Sequence, residues 1–210
     1  MLLWINGPFG GGKTQTAYEL RRRLAGSVVC DPEDVGFGLR RMMPRGTSPD
    51  FQEFPAWRQG VFEVLDRVLT TRKAPVIAPM TLVEPAYFEE IIDRLRHRGH
   101  TVRHVALLAE RHTVLRRLNG RAGGRAAELL AGRGAPLRWE SFAVTKLDTC
   151  LERLAEPEFA EHVWTDGLTV AEVADRVAAS AGLGLAPNTD GPLLGRLRRA
   201  WTSATHIRLG

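Results

Sequence analysis

The stretch Leu2-Leu3-Trp4-Ile5-Asn6-Gly7-Pro8-Phe9-Gly10-Gly11-Gly12-Lys13-Thr14 decides the fold. An apolar run too short for a helix meets a glycine-rich turn, which reads as a buried parallel strand. Thr14 to Leu24 follows, with Ala17, Leu20 and Leu24 at helical spacing. Gly7, Pro8, Phe9, Gly10, Gly11, Gly12, Lys13, Thr14 and Gln15 then form a phosphate-binding loop between strand and helix. Its glycines let backbone N–H groups curl inward around an anion, and the helix adds its positive end. Lys13 supplies a point charge to the outer phosphates of ATP, and Thr14 a hydroxyl for Mg²⁺.

Working outward, strands are expected at Ser27–Cys30, Pro75–Met80, Thr101–Ala109 and His162–Thr165. Helices are expected at Glu33–Met43, Phe54–Thr71, Pro85–Arg98, Thr113–Arg121, Trp139–Leu154 and Thr169–Ala181. This alternation predicts a three-layer α/β/α P-loop NTPase fold with a five-stranded parallel sheet. Ligands of such sheets gather at the carboxyl ends of the strands, so Gly7–Thr14, Asp31 and Thr81 should meet in one crevice. Residues 1–186 read as one kinase-like domain with a lid region at about 117–138, rich in Gly, Ala and Arg. Residues 187–210 read as a basic amphipathic tail.

The bulk composition is that of a globular protein: 210 residues, 44% hydrophobic and 25% charged, with two cysteines. Two cysteines cannot build a disulfide framework, and no signal-like or membrane-spanning run is present, so a cytoplasmic location is expected. The net charge of +5 comes almost wholly from arginine; Lys13, Lys73 and Lys146 are the only lysines. An arginine bias of this kind is no evidence for nucleic acid, and none is expected as a partner. The state expected is monomer or homodimer.

Asp31 ends the second strand beside the expected phosphate loop. It could take a proton from an acceptor hydroxyl or hold Mg²⁺ through water, or simply form a turn before Pro32. Arg117, Arg121 and Arg125 are four apart and would share a helical face, either at the transferring phosphoryl or in solvent. Arg40, Arg58 and Thr81 flank the acceptor region as candidate substrate contacts. The third strand, Val76-Ile77-Ala78-Pro79-Met80, offers no acidic metal ligand; either Asp31 takes that part or the metal is handled differently. His104, His112 and His162 lack metal-ligand spacing, and Cys30 and Cys150 read as core. An Asn-Lys-x-Asp guanine signature is absent. The helical insertion after strand two and the arginine-rich segment after strand four suit a small-molecule kinase.

Several segments together resemble the tunicamycin resistance proteins of the TmrB type: Trp4-Ile5-Asn6-Gly7, Phe9-Gly10 through Ala17, Asp31-Pro32-Glu33 with Gly36-Phe37, Pro55-x-Trp57-Arg58, Pro79-Met80-Thr81 and the closing His206-Ile207-Arg208. The resemblance covers nearly the whole chain, with 120–138 more divergent. It implies a nucleoside monophosphate kinase-like fold, ATP and Mg²⁺ as cofactors, and protection against a tunicamycin-like nucleoside antibiotic. Phosphorylation of a drug hydroxyl would give that protection; so would sequestration without chemistry, and a metabolic kinase is the third reading.

Leu193, Leu194, Leu197, Ala200, Trp201 and Ala204 follow helical spacing, with Arg196, Arg198 and Arg199 on other faces. A basic amphipathic helix over 192–205 can lie on an anionic membrane. It can equally pack on the core or on a second subunit.

Overall fold

The computed structural model describes residues 1–44, 50–121, 146–159 and 161–206. The expected parallel sheet is present, in the order β2-β3-β1-β4-β5. Its strands are β1 (Leu2–Asn6), β2 (Val28–Val29), β3 (Val76–Pro79), β4 (Val102–Leu108) and β5 (Glu161–Trp164). Central β1 pairs with β3 on one side, Leu2 opposite Val76, and with β4 on the other, Leu2 opposite Val102.

Alternation along β1 builds two cores. Leu2 and Trp4 face one layer, with Trp57, Val61 and Leu65 of α3 (Pro55–Thr71). Ile91, Ile92 and Leu95 complete that layer from α4 (Pro85–Phe88), a π-helical stretch (Glu89–Asp93) and α5 (Arg94–His97). Leu3 and Ile5 face the opposite layer, with Ala17 and Leu20 of α1 (Lys13–Arg23) and Val173, Ala174 and Val177 of α8 (Val170–Ser180). Both faces are covered, as a parallel sheet requires. The remaining helices are α2 (Pro32–Met42), α6 (Arg111–Arg121), α7 (Leu147–Leu154) and α9 (Pro192–His206).

Element types agree with the sequence reading and the edges shift by a residue or two. The π-helical stretch was not expected, because apolar spacing does not distinguish one wide turn from α-helix. Trp139–Thr145 of the helix expected over Trp139–Leu154, and most of the expected lid, lie outside the described residues.

At the end of β1 the fold is tied across three strands by one side chain. Asn6 is fully buried. Its Nδ2 donates to the Leu82 carbonyl at 2.6 Å and to His104 Nε2 at 3.1 Å. Its Oδ1 accepts from Gly7 N at 2.9 Å and Leu82 N at 3.0 Å. His104 must be neutral to accept there. Burial first, then nearby Arg96, pushes its pKa down to about 4. Removing the Asn6 amide would strand several buried polar groups at once, each costing about 1–3 kcal/mol. Asn6→Ala should therefore lower the unfolding free energy by roughly 3 kcal/mol or more, seen as a lower urea midpoint at unchanged m-value. A loss below about 1 kcal/mol would show that the tie is not structural.

Candidate functional site

The loop after β1 has the backbone that a phosphate cradle needs. Gly10 and Gly12 sit at φ 79° and 95°, where side chains are rarely tolerated. Gly10 also packs so closely under α6 that a Cβ would stand 2.9 Å from Leu118 Cγ. The loop is thus pressed between α1 and α6 by contact. Lys13 is buried, and its Nζ donates to the carbonyls of Gly7 and Pro8, both at 3.0 Å, with the Phe9 ring 5.6 Å away. The ammonium therefore lies over the mouth of the loop. Thr14 follows on the first turn of α1, half-buried.

Asp31 caps α2: its Oδ1 accepts from Glu33 N at 3.0 Å. That uses one carboxylate oxygen of two. Burial, with the negative charges of Glu33 and Asp34, pushes its pKa up to about 7, against the Glu33 N–H and the Lys13 charge. The Lys13 influence puts the end of β2 and the phosphate loop on one side of the sheet. Thr81 also converges there, but its buried hydroxyl donates to Gly7 O at 2.7 Å. Expected on substrate, Thr81 instead holds the loop's first carbonyl, because the chain leaving β3 turns inward beneath it.

Arg58, also expected beside the substrate, is engaged within the fold. Its Nε donates to Glu90 at 2.7 Å, its Nη1 to Gln52 O at 2.6 Å, and its guanidinium lies 4.3 Å from the Tyr87 ring centroid. It braces α3 against the neighbouring helices from within. Gln15, expected on the nucleotide, gives its side-chain amide to α9: Nε2 donates to Arg199 O at 3.0 Å and Ser203 Oγ at 2.9 Å. Arg40 remains beside the acceptor region, 5.2 Å from the Phe51 ring centroid.

Arg117 reaches across to the segment after β5, donating to Thr165 Oγ1 and O, both at 2.9 Å. A cavity of about 220 Å³ opens there, lined by Gly10, Gly12, Thr16, Arg117, Thr165 and Leu168. Sequence reasoning named Arg117 but missed Thr165 and Leu168, which had only their place after the last strand to recommend them. Arg121 ends α6, its side chain outside the described residues, as is Arg125. A larger groove of about 890 Å³ runs between α1 and α9, past Tyr18, Arg22 and Trp201. The smaller cavity is the one that shares its walls with the phosphate loop.

Among the described residues no three His, Cys, Asp or Glu side chains gather as a metal cage. Mg²⁺ at a nucleotide is commonly held by one or two protein oxygens together with substrate phosphates. Thr14 and Asp31 supply oxygen donors of that kind beside the loop.

α9 docks on α1 through polar contacts. Tyr18 stacks on His206 at 3.9 Å between centroids, with its hydroxyl 2.9 Å from His206 Nδ1. Leu193, Leu197 and Trp201 stay exposed, at 76%, 68% and 70%. No helix among the described residues is long and apolar enough to cross a membrane.

The sequence pattern of the AAA domain family matches residues 2–133. No curated protein sequence matches the chain. Among solved structures, the tunicamycin resistance protein of Deinococcus radiodurans is similar over 89% of this chain and 99% of that one, with 32% identity and a TM-score of 0.67. A gluconokinase from Sinorhizobium meliloti is similar over 97% of both chains, at 18% identity and TM-score 0.56. The Mycobacterium tuberculosis APS kinase CysC, solved with AMPPNP and APS, is similar over 86% of this chain and 96% of that one, at 16% identity and TM-score 0.55. The last two share the fold; the first, with the family match across most of the chain, fixes the kinship. This chain belongs to the AAA domain family of P-loop proteins, together with the tunicamycin resistance protein of Deinococcus radiodurans.

Proposed function

We propose that this protein transfers the γ-phosphoryl group of ATP to a hydroxyl of a tunicamycin-like nucleoside antibiotic. The observation that carries the reading is Asp31: a half-buried carboxyl group at the strand end beside the phosphate loop, with a pKa pushed up to about 7. A general base works best when its pKa lies near the working pH. Asp31 would accept the acceptor's proton while Lys13 leaves the Gly7 and Pro8 carbonyls for the phosphates. The cavity beside Arg117 and Leu168 would take the base of ATP. Mg²⁺, held by the Thr14 hydroxyl, would neutralise phosphate charge. Arg117 and Arg121, on the same helix, are the proposed stabilisers of the transferring group.

A second reading, drug binding without chemistry, is favoured by one observation. β3 is Val76-Ile77-Ala78-Pro79 and brings no carboxylate to the metal side. Incubation with ATP-Mg²⁺ and tunicamycin separates the two by mass spectrometry. Transfer adds one phosphate to the drug; unmodified drug under conditions where ATP binds would sink the phosphotransferase. Asp31→Asn should cut turnover about 10²-fold or more while ATP affinity holds.

The pH dependence has a definite sign. The base form of Asp31 grows as pH rises through about 7, so turnover should climb there. Folding raises this pKa, so the same group's contribution to stability is present at acid pH and lost as pH rises toward 7. Asp31→Asn should flatten both profiles. A wild-type rate flat from pH 6 to 8 would remove Asp31 as base.

The exposed apolar face of α9, with Arg196 and Arg199 on the same helix, supports peripheral docking on an anionic membrane. Leu197→Glu with Trp201→Glu should abolish co-sedimentation with phosphatidylglycerol vesicles and spare ATP binding. Equal sedimentation of variant and wild type would refute the docking.

A further inference from the structure

The acceptor side of the site is closed by an ion pair that the sequence did not suggest. One partner, Asp50, caps the short 3₁₀ turn Phe51–Glu53, its Oδ1 accepting from Gln52 N at 3.1 Å. That turn is pinned to α2, the helix that Asp31 starts. A Cβ on Gly36 would lie 2.6 Å from the Phe51 ring, so the two pack with no gap. The Phe37 ring meets Phe51 edge-on, and Trp57 Nε1 donates to Pro32 O at 3.0 Å. Asp50 is therefore fixed on the same wall as Asp31.

The other partner comes from the phosphate-loop wall. Lys146 is the N-cap residue of α7, and its Nζ donates to Asp50 Oδ2 at 2.7 Å. α7 packs through Leu147 and Leu151 against Val114 and Leu118, the α6 residues that press on Gly10. One turn past Lys146, the buried Cys150 thiol feels the charges of Lys13, Lys146 and Asp50 together. The pair thus spans from the acceptor wall to the wall that carries Lys13.

Its chemistry is selective. Lys146 is 44% exposed over an Asp50 side chain that is 13% exposed, so its ammonium can be reached from solvent while the carboxylate is held beneath it. Arg58 is buried and committed to Glu90, and Arg40 lies over Phe51. Asp31 and Asp50 stand on the same wall, and Asp31, with its pKa pushed up to about 7, is only partly charged at neutral pH. An anionic acceptor would meet two acids and a lysine already neutralised; neighbouring hydroxyls would find an acceptor and a donor side by side.

We propose that Asp50 and Lys146 are the acceptor-recognition pair. Asp50 accepts, and Lys146 donates, hydrogen bonds to adjacent hydroxyls of an uncharged, sugar-like acceptor. Their mutual neutralisation turns away acceptors that carry a phosphate. This rests on the acceptor-side reading of Asp31 above.

The test is calorimetric titration of the full chain, saturated with ADP-Mg²⁺, using tunicamycin and uridine 5′-monophosphate as probes. Asp50→Asn and Lys146→Met should each raise the tunicamycin Kd about tenfold or more, with the ADP Kd unchanged as the control for folding. Asp50→Asn alone should also gain affinity for the monophosphate, about tenfold, because it removes the carboxylate charge that faces Lys146 and would repel a phosphate. The swap Asp50→Lys with Lys146→Asp rebuilds the tie with its donor and acceptor exchanged. Recognition predicts that tunicamycin affinity stays lost in the swap; recovery to wild-type affinity would reduce the pair to a structural brace and overturn the proposal. Unchanged tunicamycin affinity in both single variants would overturn it as well. Should wild type bind ADP but no tunicamycin, the drug reading fails and the monophosphate arm decides: a gain in Asp50→Asn sustains the pair's role, and no gain ends it.

Discussion

The Asn6 amide is the constraint on which the site depends. A parallel sheet leaves the ends of its strands to loops, and loops do not fix geometry unless something spans them. Asn6 spans β1, the segment after β3 and β4 with four hydrogen bonds from one buried side chain. Gly7 is held at its N–H by Asn6 and at its carbonyl by Thr81. The first residue of the phosphate loop is therefore set before the loop begins to curl, and Lys13 shares that same carbonyl. The cradle is organised from beneath by neutral hydrogen bonds, which leaves the charged groups to the ligand side.

Charge on that side is arranged by burial. Lys13 is buried at the loop, and the opposing carboxylate is Asp31, which burial keeps near the point of half-protonation at neutral pH. A carboxylate fully exposed at a helix N-cap would be ionised and stabilising. Here the cap is kept, through the Glu33 N–H, while solvent is withdrawn. The cap orients the carboxyl group and the burial raises its basicity, so one residue receives its direction and its strength from separate sources.

The sequence made much of this legible, and the misses have physical causes. The two core layers follow from alternation in Leu2–Ile5, since each strand residue must face one helix layer or the other. The glycine-rich turn after β1 and the strand end at Asp31 were readable because backbone curvature and strand ends leave local signatures. Arg58 and Thr81 were placed near the right elements, but sequence gives no account of which way a side chain turns. Glu90 and the Gly7 carbonyl, 32 and 74 residues away, decide that. Asp50 and Lys146 left no signal, because their meaning lies in a contact between residues 96 apart. Gln15 keeps a place beside the phosphate-loop cavity, but its side-chain amide is taken by a helix from the far end of the chain, which position beside Thr14 did not suggest.

That last contact bears on how the molecule is assembled. α9 is held to α1 by contacts through Gln15, Tyr18 and the Arg22–Asp190 region, while Leu197 and Trp201 line the open groove between the two helices and stay largely exposed. A helix docked for its own burial would turn the apolar side inward, because burying Leu or Trp contributes about 2 kcal/mol each and exposing them contributes nothing. The observed orientation gives up that gain. Those contacts therefore fix where α9 sits, and the exposed face is left to whatever apolar or interfacial surface the protein meets. Gln15 lies next to Thr14 on the first turn of α1. The surface that α9 offers is thus coupled, through Gln15 and Tyr18, to the helix that begins at the phosphate loop.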